Sequence, residues 1–273
     1  MNTLPQVYPT DLTTNEWTQL MSFFPPASRR GRPRKWEVWQ ILNAILSVTR
    51  TGCQWRMLPC NFPPWATVYG YFWRWTQHGL WPRLNTVLVK TARQQAGRNP
   101  QPSAAMIDSQ SVKTSEGGEA RGSDVHKQPL GRKRHIVVDG LGLWLMVVVH
   151  SAGIPDSTGG KRVLPSLFTQ IKRNVHNRWC RLKLIWAEGA YEHIVAEVRK
   201  QLGWRLEVVR RPADAKGFPV LPRRWVVERS FGWLGRSRRL CRDFEHTTLS
   251  SEAMVYLASI RRTLRVVTVE NPN

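Results

Sequence analysis

The chain has 273 residues, with 41 lysines and arginines against 19 aspartates and glutamates, a net charge of +22, 14 tryptophans and 41% hydrophobic residues. Such a charge favours a polyanionic partner, and the apolar and aromatic content excludes a disordered basic tail. No window of about 18 residues is apolar enough to span a membrane. The most apolar run, Leu143 to His150, is strand-sized. The amino-terminal stretch has no basic region followed by an apolar core, so no secretory signal is expected. Cys53, Cys60, Cys180 and Cys241 lack C-x-x-C spacing, which fits reduced thiols in a cytoplasm and not a zinc site.

Residues 1–100 read as helices. Thr13 and Glu16 have capping-box spacing before "WTQLMSFF", and the segment breaks at Pro25-Pro26. The loop "ASRRGRPRK" then carries five basic residues, Arg29, Arg30, Arg32, Arg34 and Lys35, suited to DNA phosphates or a minor groove. In "WEVWQILNAILSVTRTG" the apolar positions fall near helical spacing, and Gly52 is placed to cap the carboxyl end. Two more helices follow, through "ATVYGYFWRWTQHG" and "WPRLNTVLVKTARQQAG". Helices on short turns beside a basic loop are compatible with a helix-turn-helix type module. Their tryptophan stripes have the spacing of a buried face.

The stretch "GRNPQPSA" marks a linker, and the pattern changes beyond it. Residues 101–273 read as a second domain. "AAMIDSQSVK" is a short strand closing at Asp108; the charged, Gly-rich stretch from Thr114 to Arg134 reads as a surface loop. "GRKRHIVVDGLGLWLMVVVHSAG" reads as two strands turning at Asp139-Gly140. A helix ("KRVLPSLFTQIKR"), a strand ("LKLIWAEG"), a helix ("YEHIVAEVRKQLG") and a strand ("RLEVVRRP") come next. A last long helix is expected from Pro222 or Arg223 through "RRWVVERSFGWLGRSRRLCRDF". The order describes an α/β fold with a mixed five-stranded sheet and helices on both faces.

Carboxylates are scarce, yet Asp108 and Glu188 close apolar strands and Glu228 lies in the last helix. Each has an ordinary alternative: Asp108 as a turn residue bonded to Ser109 or Ser111, Glu188 as a helix cap or partner of Arg205, and Glu228 as a partner of Arg224 or Arg229. Their joint order points further. Three convergent acids repel one another unless cations lie between them, and Mg2+ is the hard, oxygen-seeking choice. On so basic a chain that chemistry means phosphodiester cleavage or strand transfer. Arg236, Arg238, Arg239 and Arg242 would continue the helix as a basic ridge for phosphates.

These motifs carry a resemblance. "MIDSQSVKT", "GRKRHIVVDGLGL", "LIWAEGAY", "RRPADAKGFPVLPRRWVVERSFGWLGRSRRL" and "SEAMVYLASIRRTLR", with the aromatic helices before them, resemble a DDE transposase of bacterial insertion sequences, in the group called insertion sequence five. The resemblance spans about Leu12 to Arg265. It implies an RNase H-like catalytic domain behind a helical, helix-turn-helix-like DNA-binding domain, and Mg2+, for which Mn2+ can substitute. It also implies double-stranded DNA partners, the terminal inverted repeats and the target, and a homodimer on DNA. Carried over residue by residue, the metal ligands are Asp108, Glu188 and Glu228, with Arg224 as the arginine shortly before the glutamate. The second acid departs from the family's Asp-Gly: Glu188-Gly189 stands there, one methylene and about 1.5 Å longer. A displacement of about 1 Å in a catalytic site costs roughly a hundredfold in rate. The competing reading is therefore a catalytically impaired copy acting only as a DNA-binding protein.

Overall fold

The computed structural model describes residues 3–25, 34–115, 117–124, 130–173, 181–210 and 224–268. Helices α1 (Thr14–Leu20), α2 (Val38–Thr51), α3 (Trp65–Gln77) and α4 (Leu80–Gln95) come first. The capping box forms at Thr13, whose hydroxyl accepts from the Glu16 amide at 3.1 Å while the Glu16 carboxylate accepts from the Thr13 amide at 2.9 Å. α2 stops at Gly52, with φ of +75°. A side chain there would be strained, and its Cβ would come within 3.1 Å of the Arg238 Cβ. Trp81, Phe72 and Trp75 are buried, so these aromatic stripes pack the core as their spacing implies.

The sheet contains β1 (Ala104–Lys113), β2 (Gly122–Ser123), β3 (Leu130–Asp139), β4 (Trp144–Ser151), β5 (Leu184–Ala187) and β6 (Arg205–Val208). β3 lies antiparallel to both β1 and β4, while β1, β5 and β6 run parallel. This is the mixed five-stranded, RNase H-like order, with the two-residue β2 added at the start of β3. Between and after the strands come α5 (Asp156–Arg173), α6 (Val195–Leu202), α7 (Arg224–Leu234) and α8 (Thr248–Thr268). α5 packs on β3 and β4, and α7 packs on β1 and β3. Because side chains alternate along a strand, Asp108 on one face of β1 and Ser109 on the other meet different helices.

Four sequence readings change. Asp108 does not close its strand: β1 continues to Lys113, because the polar residues after Asp108 pair with β3 as far as Lys113 with Gly131. The loop read from Thr114 to Arg134 ends earlier, since β3 begins at Leu130 and buries Arg132 and Arg134. Arg132 donates to the carbonyls of Glu119, Glu245 and His246 and pairs with Asp243, and Arg134 donates to the carbonyl of Leu240. The long last helix is split: α7 stops at Leu234, and Arg238–Leu240 form a separate 3-10 turn packed on Gly52. The final helix is instead α8, which packs on α4, α2 and β4.

α8 also covers the free edge of β4. The amide of Val147 donates to the Tyr256 hydroxyl at 3.1 Å and that of Val149 to the Glu252 carboxylate at 2.8 Å. An edge strand so occupied cannot recruit another strand. Asn85 of α4 donates to the carbonyl of Trp144 and accepts from Ser259 of α8, tying helices and sheet together. Asp139, at the turn out of β3, is fully buried and pairs with Arg93 of α4. No helix among the described residues is long and apolar enough to cross a membrane.

Candidate active site

β1 and β5 run parallel with Met106 opposite Trp186, so Asp108 and Glu188, each two residues further on, lie side by side across the strand pair. Glu188 sits where β5 gives way to the 3-10 turn Gly189–Ile194. Its side chain makes no capping bond, although its backbone carbonyl accepts from the Tyr191 amide at 3.1 Å, and Arg205 pairs with Glu207, so the carboxylate takes up neither ordinary role foreseen for it. Its partner is Arg224, at the first turn of α7, whose Nη2 donates to Glu188 Oε2 at 2.7 Å. The same guanidinium places Nε 3.2 Å from Glu228 Oε1, one turn along the helix. One arginine thus bridges the two glutamates.

Asp108 is only 8% exposed and its carboxyl is pushed up to about 7, chiefly by burial and then by the charge of Glu188. The Ser109 amide, donating at 2.7 Å, and the nearby Arg224 work in the opposite direction, and Glu228 adds to the rise. All four residues therefore act on one another. Three carboxylates against one guanidinium leave two negative charges when all are ionised. Hard oxygen donors with that charge fit a divalent cation in kind. In place they do not yet close around one: among the described residues no three His, Cys, Asp or Glu side chains are grouped to hold a metal ion, and Arg224 lies between Glu188 and Glu228.

Behind β1, on the opposite face, lies a polar network that the sequence reading did not single out. Ser109 Oγ donates to Asp156 Oδ1 at 2.6 Å, Lys133 Nζ lies 3.0 Å from the same oxygen and 3.6 Å from Asp124, and Ser111 donates to Asp124. Burial opposes the ionised form of Asp156, but the bonds from Ser109 and Lys133 hold it below the usual carboxylate range. His135 and His150 share a hydrogen bond of 2.8 Å, and burial, then His150, depresses His135 to about 3, so it is neutral. Gly159 of α5 makes room for this pair, since a Cβ there would come within 2.2 Å of His135 Cε1. Tyr191 is fully buried, and burial followed by the charges of Asp108, Asp156 and Glu188 raises its hydroxyl well above the ordinary value. One signal was available in the sequence: four successive basic residues, Arg132 to His135, enter an apolar strand, which requires partners waiting on both faces.

The basic residues divide. Arg29, Arg30 and Arg32 lie outside the described residues. Arg34 donates to the carbonyl of Pro25, and Lys35 is exposed beside the Trp36 ring. Arg236 and Arg238 are exposed beyond the end of α7. Arg239, expected on the same ridge, is buried instead: it pairs with Glu245 at 2.8 Å and donates to the carbonyl of Cys53, because the 3-10 turn rotates it toward α2. Beside Glu228 a cleft of about 550 Å³ runs past Gln110, Gly232 and Gly235 to Arg242, the glycines leaving its wall open.

Residues 99–260 match the family described as "Transposase DDE domain", and this match takes in every residue of the acid cluster. It spans more than half of the chain, which therefore belongs to the DDE transposases. Residues 12–85 match the family described as "Putative transposase of IS4/5 family", so within that class the chain is of the IS4/5 type. Comparison with curated proteins and with solved structures gives no match. DDE transposase domains generally use a divalent metal, and their substrate is DNA.

Proposed function

We propose that this transposase binds the terminal inverted repeats of its insertion sequence through its helical region, residues 1–100, and cleaves and joins DNA in a Mg2+-dependent reaction at Asp108, Glu188 and Glu228 of residues 101–273. The observation that carries the reading is the convergence of these acids on Arg224 in a chain of the DDE family. The enzyme works as a homodimer on DNA in the cytoplasm, each copy serving one end of the element.

Mg2+, or Mn2+ in its place, would supply Lewis acidity toward the phosphodiester oxygens and lower the pKa of the attacking water or hydroxyl. Asp108, Glu188 and Glu228 would hold it. In hydrolysis the water oxygen bonds to phosphorus as the bond to the 3′ oxygen breaks, and the oxygen leaves as a 3′ hydroxyl. In joining, that hydroxyl attacks a target phosphodiester and a target 3′ hydroxyl is released. The protein's own contribution is placement. Parallel pairing of β1 and β5 aligns Asp108 with Glu188, the Ser109 amide orients Asp108, and Arg224 holds both glutamates toward one point. Arg34, Lys35, Arg236 and Arg238, with Arg29, Arg30 and Arg32, would contact phosphates.

The test is cleavage of a duplex carrying the element's ends, with Mg2+ and with Mn2+. Wild-type protein should nick the ends and join them to a plasmid, and Asp108→Asn should bind the same duplex without nicking. Binding with no cleavage in either metal would overturn the catalytic part.

A further inference from the structure

A cavity of about 500 Å³ lies between α2, α7 and α8, and five arginines line it: Arg50, Arg236, Arg261, Arg262 and Arg265, with Trp233 on one wall. Arg261 is neutralised by Glu16 at 2.6 Å and donates to the carbonyl of Asp11. The other four form no ion pair among the described residues. Arg262 lies 3.2 Å from the Trp233 ring centroid, and Arg50 donates to the carbonyl of Arg236. Arg229 stacks on the same tryptophan at 4.8 Å and on Trp225 at 4.3 Å. Burial, then the neighbouring Arg229 and Arg236, brings the Arg262 guanidinium down to about 10, still fully charged at neutral pH.

Rigid helices thus hold like charges together, an arrangement that costs stability until an anion enters. Guanidinium groups match phosphate oxygens with paired donors, and a rim of such donors reads backbone charge and not base identity. Trp233 follows Glu228 by five residues on α7, about 140° round the helix and about 7.5 Å along it. The cavity therefore faces away from the acid cluster.

We propose that this cavity is a second DNA-contact site, which holds a backbone phosphate of the duplex segment flanking the one presented to the acids. The proposal rests on the reading of the chain as a DNA-acting transposase and adds Arg50, Arg262 and Arg265 to the residues that contact DNA. It predicts binding that ignores sequence at this point and depends on salt.

The experiment measures affinity of the full chain for a terminal-repeat duplex and a random duplex, in EDTA, across a salt series. Arg50→Gln with Arg265→Gln, both exposed positions, should weaken both duplexes roughly tenfold and make the slope of log affinity against log salt shallower by about 0.9 for each phosphate left without its arginine. A melting curve establishes that the variant folds, and Arg262→Lys, which keeps the charge but loses the planar stack, gives a second reading expected to lie between. Arg199→Gln with Lys200→Gln on α6 removes the same charge elsewhere and should leave the slope nearly unchanged. An unaltered slope in the cavity variant, or an equal loss in the α6 variant, overturns the proposal. So does stabilisation by inorganic phosphate that the cavity variant abolishes while DNA affinity stays intact, which would make the cavity a small-anion site. Because EDTA removes metal from the assay, failure here leaves the acid reading standing, and absence of cleavage leaves this one standing.

Discussion

Replacing Arg224 by glutamine tests how the acid cluster is balanced. The guanidinium donates a charge-assisted hydrogen bond to Glu188 at 2.7 Å and forms an ion pair with Glu228 at 3.2 Å, with about a quarter to a third of each side chain exposed. Hydrogen bonds to charged groups contribute about 1.5–3 kcal/mol when buried, and exposed ion pairs about 0.2–1 kcal/mol. Partial exposure sets each contact near 1 kcal/mol, so Arg224→Gln should cost about 2 kcal/mol without metal. For a chain of this size that lowers Tm by about 4–8 °C. The variant leaves three acids facing one another, and Asp108 loses the arginine that opposes its protonation. A divalent cation then has no guanidinium to displace. If its affinity rises tenfold, saturating Mg2+ should return about 1.4 kcal/mol, and the Tm gap to wild type should narrow by about 3–5 °C. End cleavage should still fall at least tenfold, because Glu188 loses the group that orients it. The assay is thermal melting over a Mg2+ series, paired with nicking of the end duplex. A gap that stays constant or widens as Mg2+ is added would refute the argument that Arg224 and the metal compete for the same carboxylates.

Further outcomes follow from the same geometry. Glu188→Ala should abolish Mg2+-induced stabilisation and cleavage, while Glu188→Asp should retain binding and raise Mg2+-dependent cleavage; calorimetric metal titration decides, and unchanged affinity in the Ala variant would remove Glu188 from the site. If Asp108 holds the metal as proposed, it must lose its proton to do so, and with its carboxyl pushed up to about 7 apparent Mg2+ affinity should climb up to about tenfold per pH unit below 7 and level off above it; a flat profile from pH 5.5 to 8 would contradict the burial argument. Glu252 is also raised to about 7, by burial, so the folded chain keeps this proton longer than the unfolded one. Its contribution is therefore complete below about 4.5 and lost as pH rises toward 7, and Glu252→Gln, which still accepts from the Val149 amide, should gain about 1–3 kcal/mol at pH 8 relative to pH 5 in urea melts; an identical pH slope in the two proteins would count against it. Gly159→Ala should destabilise by about 2 kcal/mol or more, as its methyl meets the paired histidines at 2.2 and 2.6 Å, and a Tm within a degree of wild type would show that α5 shifts freely.

Local chemistry was readable in the sequence. The Thr13 capping box, the Gly52 stop, the strand periodicities and the order Asp108, Glu188, Glu228 all depend on neighbours within a few residues or on a repeating pattern, so they survive without tertiary context. The end of β1 was not readable, because polar residues from Ser109 to Lys113 look like a loop until β3 supplies their pairing. Nor was the burial of Arg132 and Arg134, most of whose partners lie more than 100 residues away, or the inward turn of Arg239. α8 went unread as an element because its buried face is completed by α4 and β4, and the arginine cavity exists only where α8 meets α2 and α7. Sequence alone determined which acids the chain carries and in what order. Tertiary structure decided which of them meet, since the register of β1 on β5 and the packing of α7 bring Glu188 and Arg224, 36 residues apart, to 2.7 Å, a separation that no local pattern encodes.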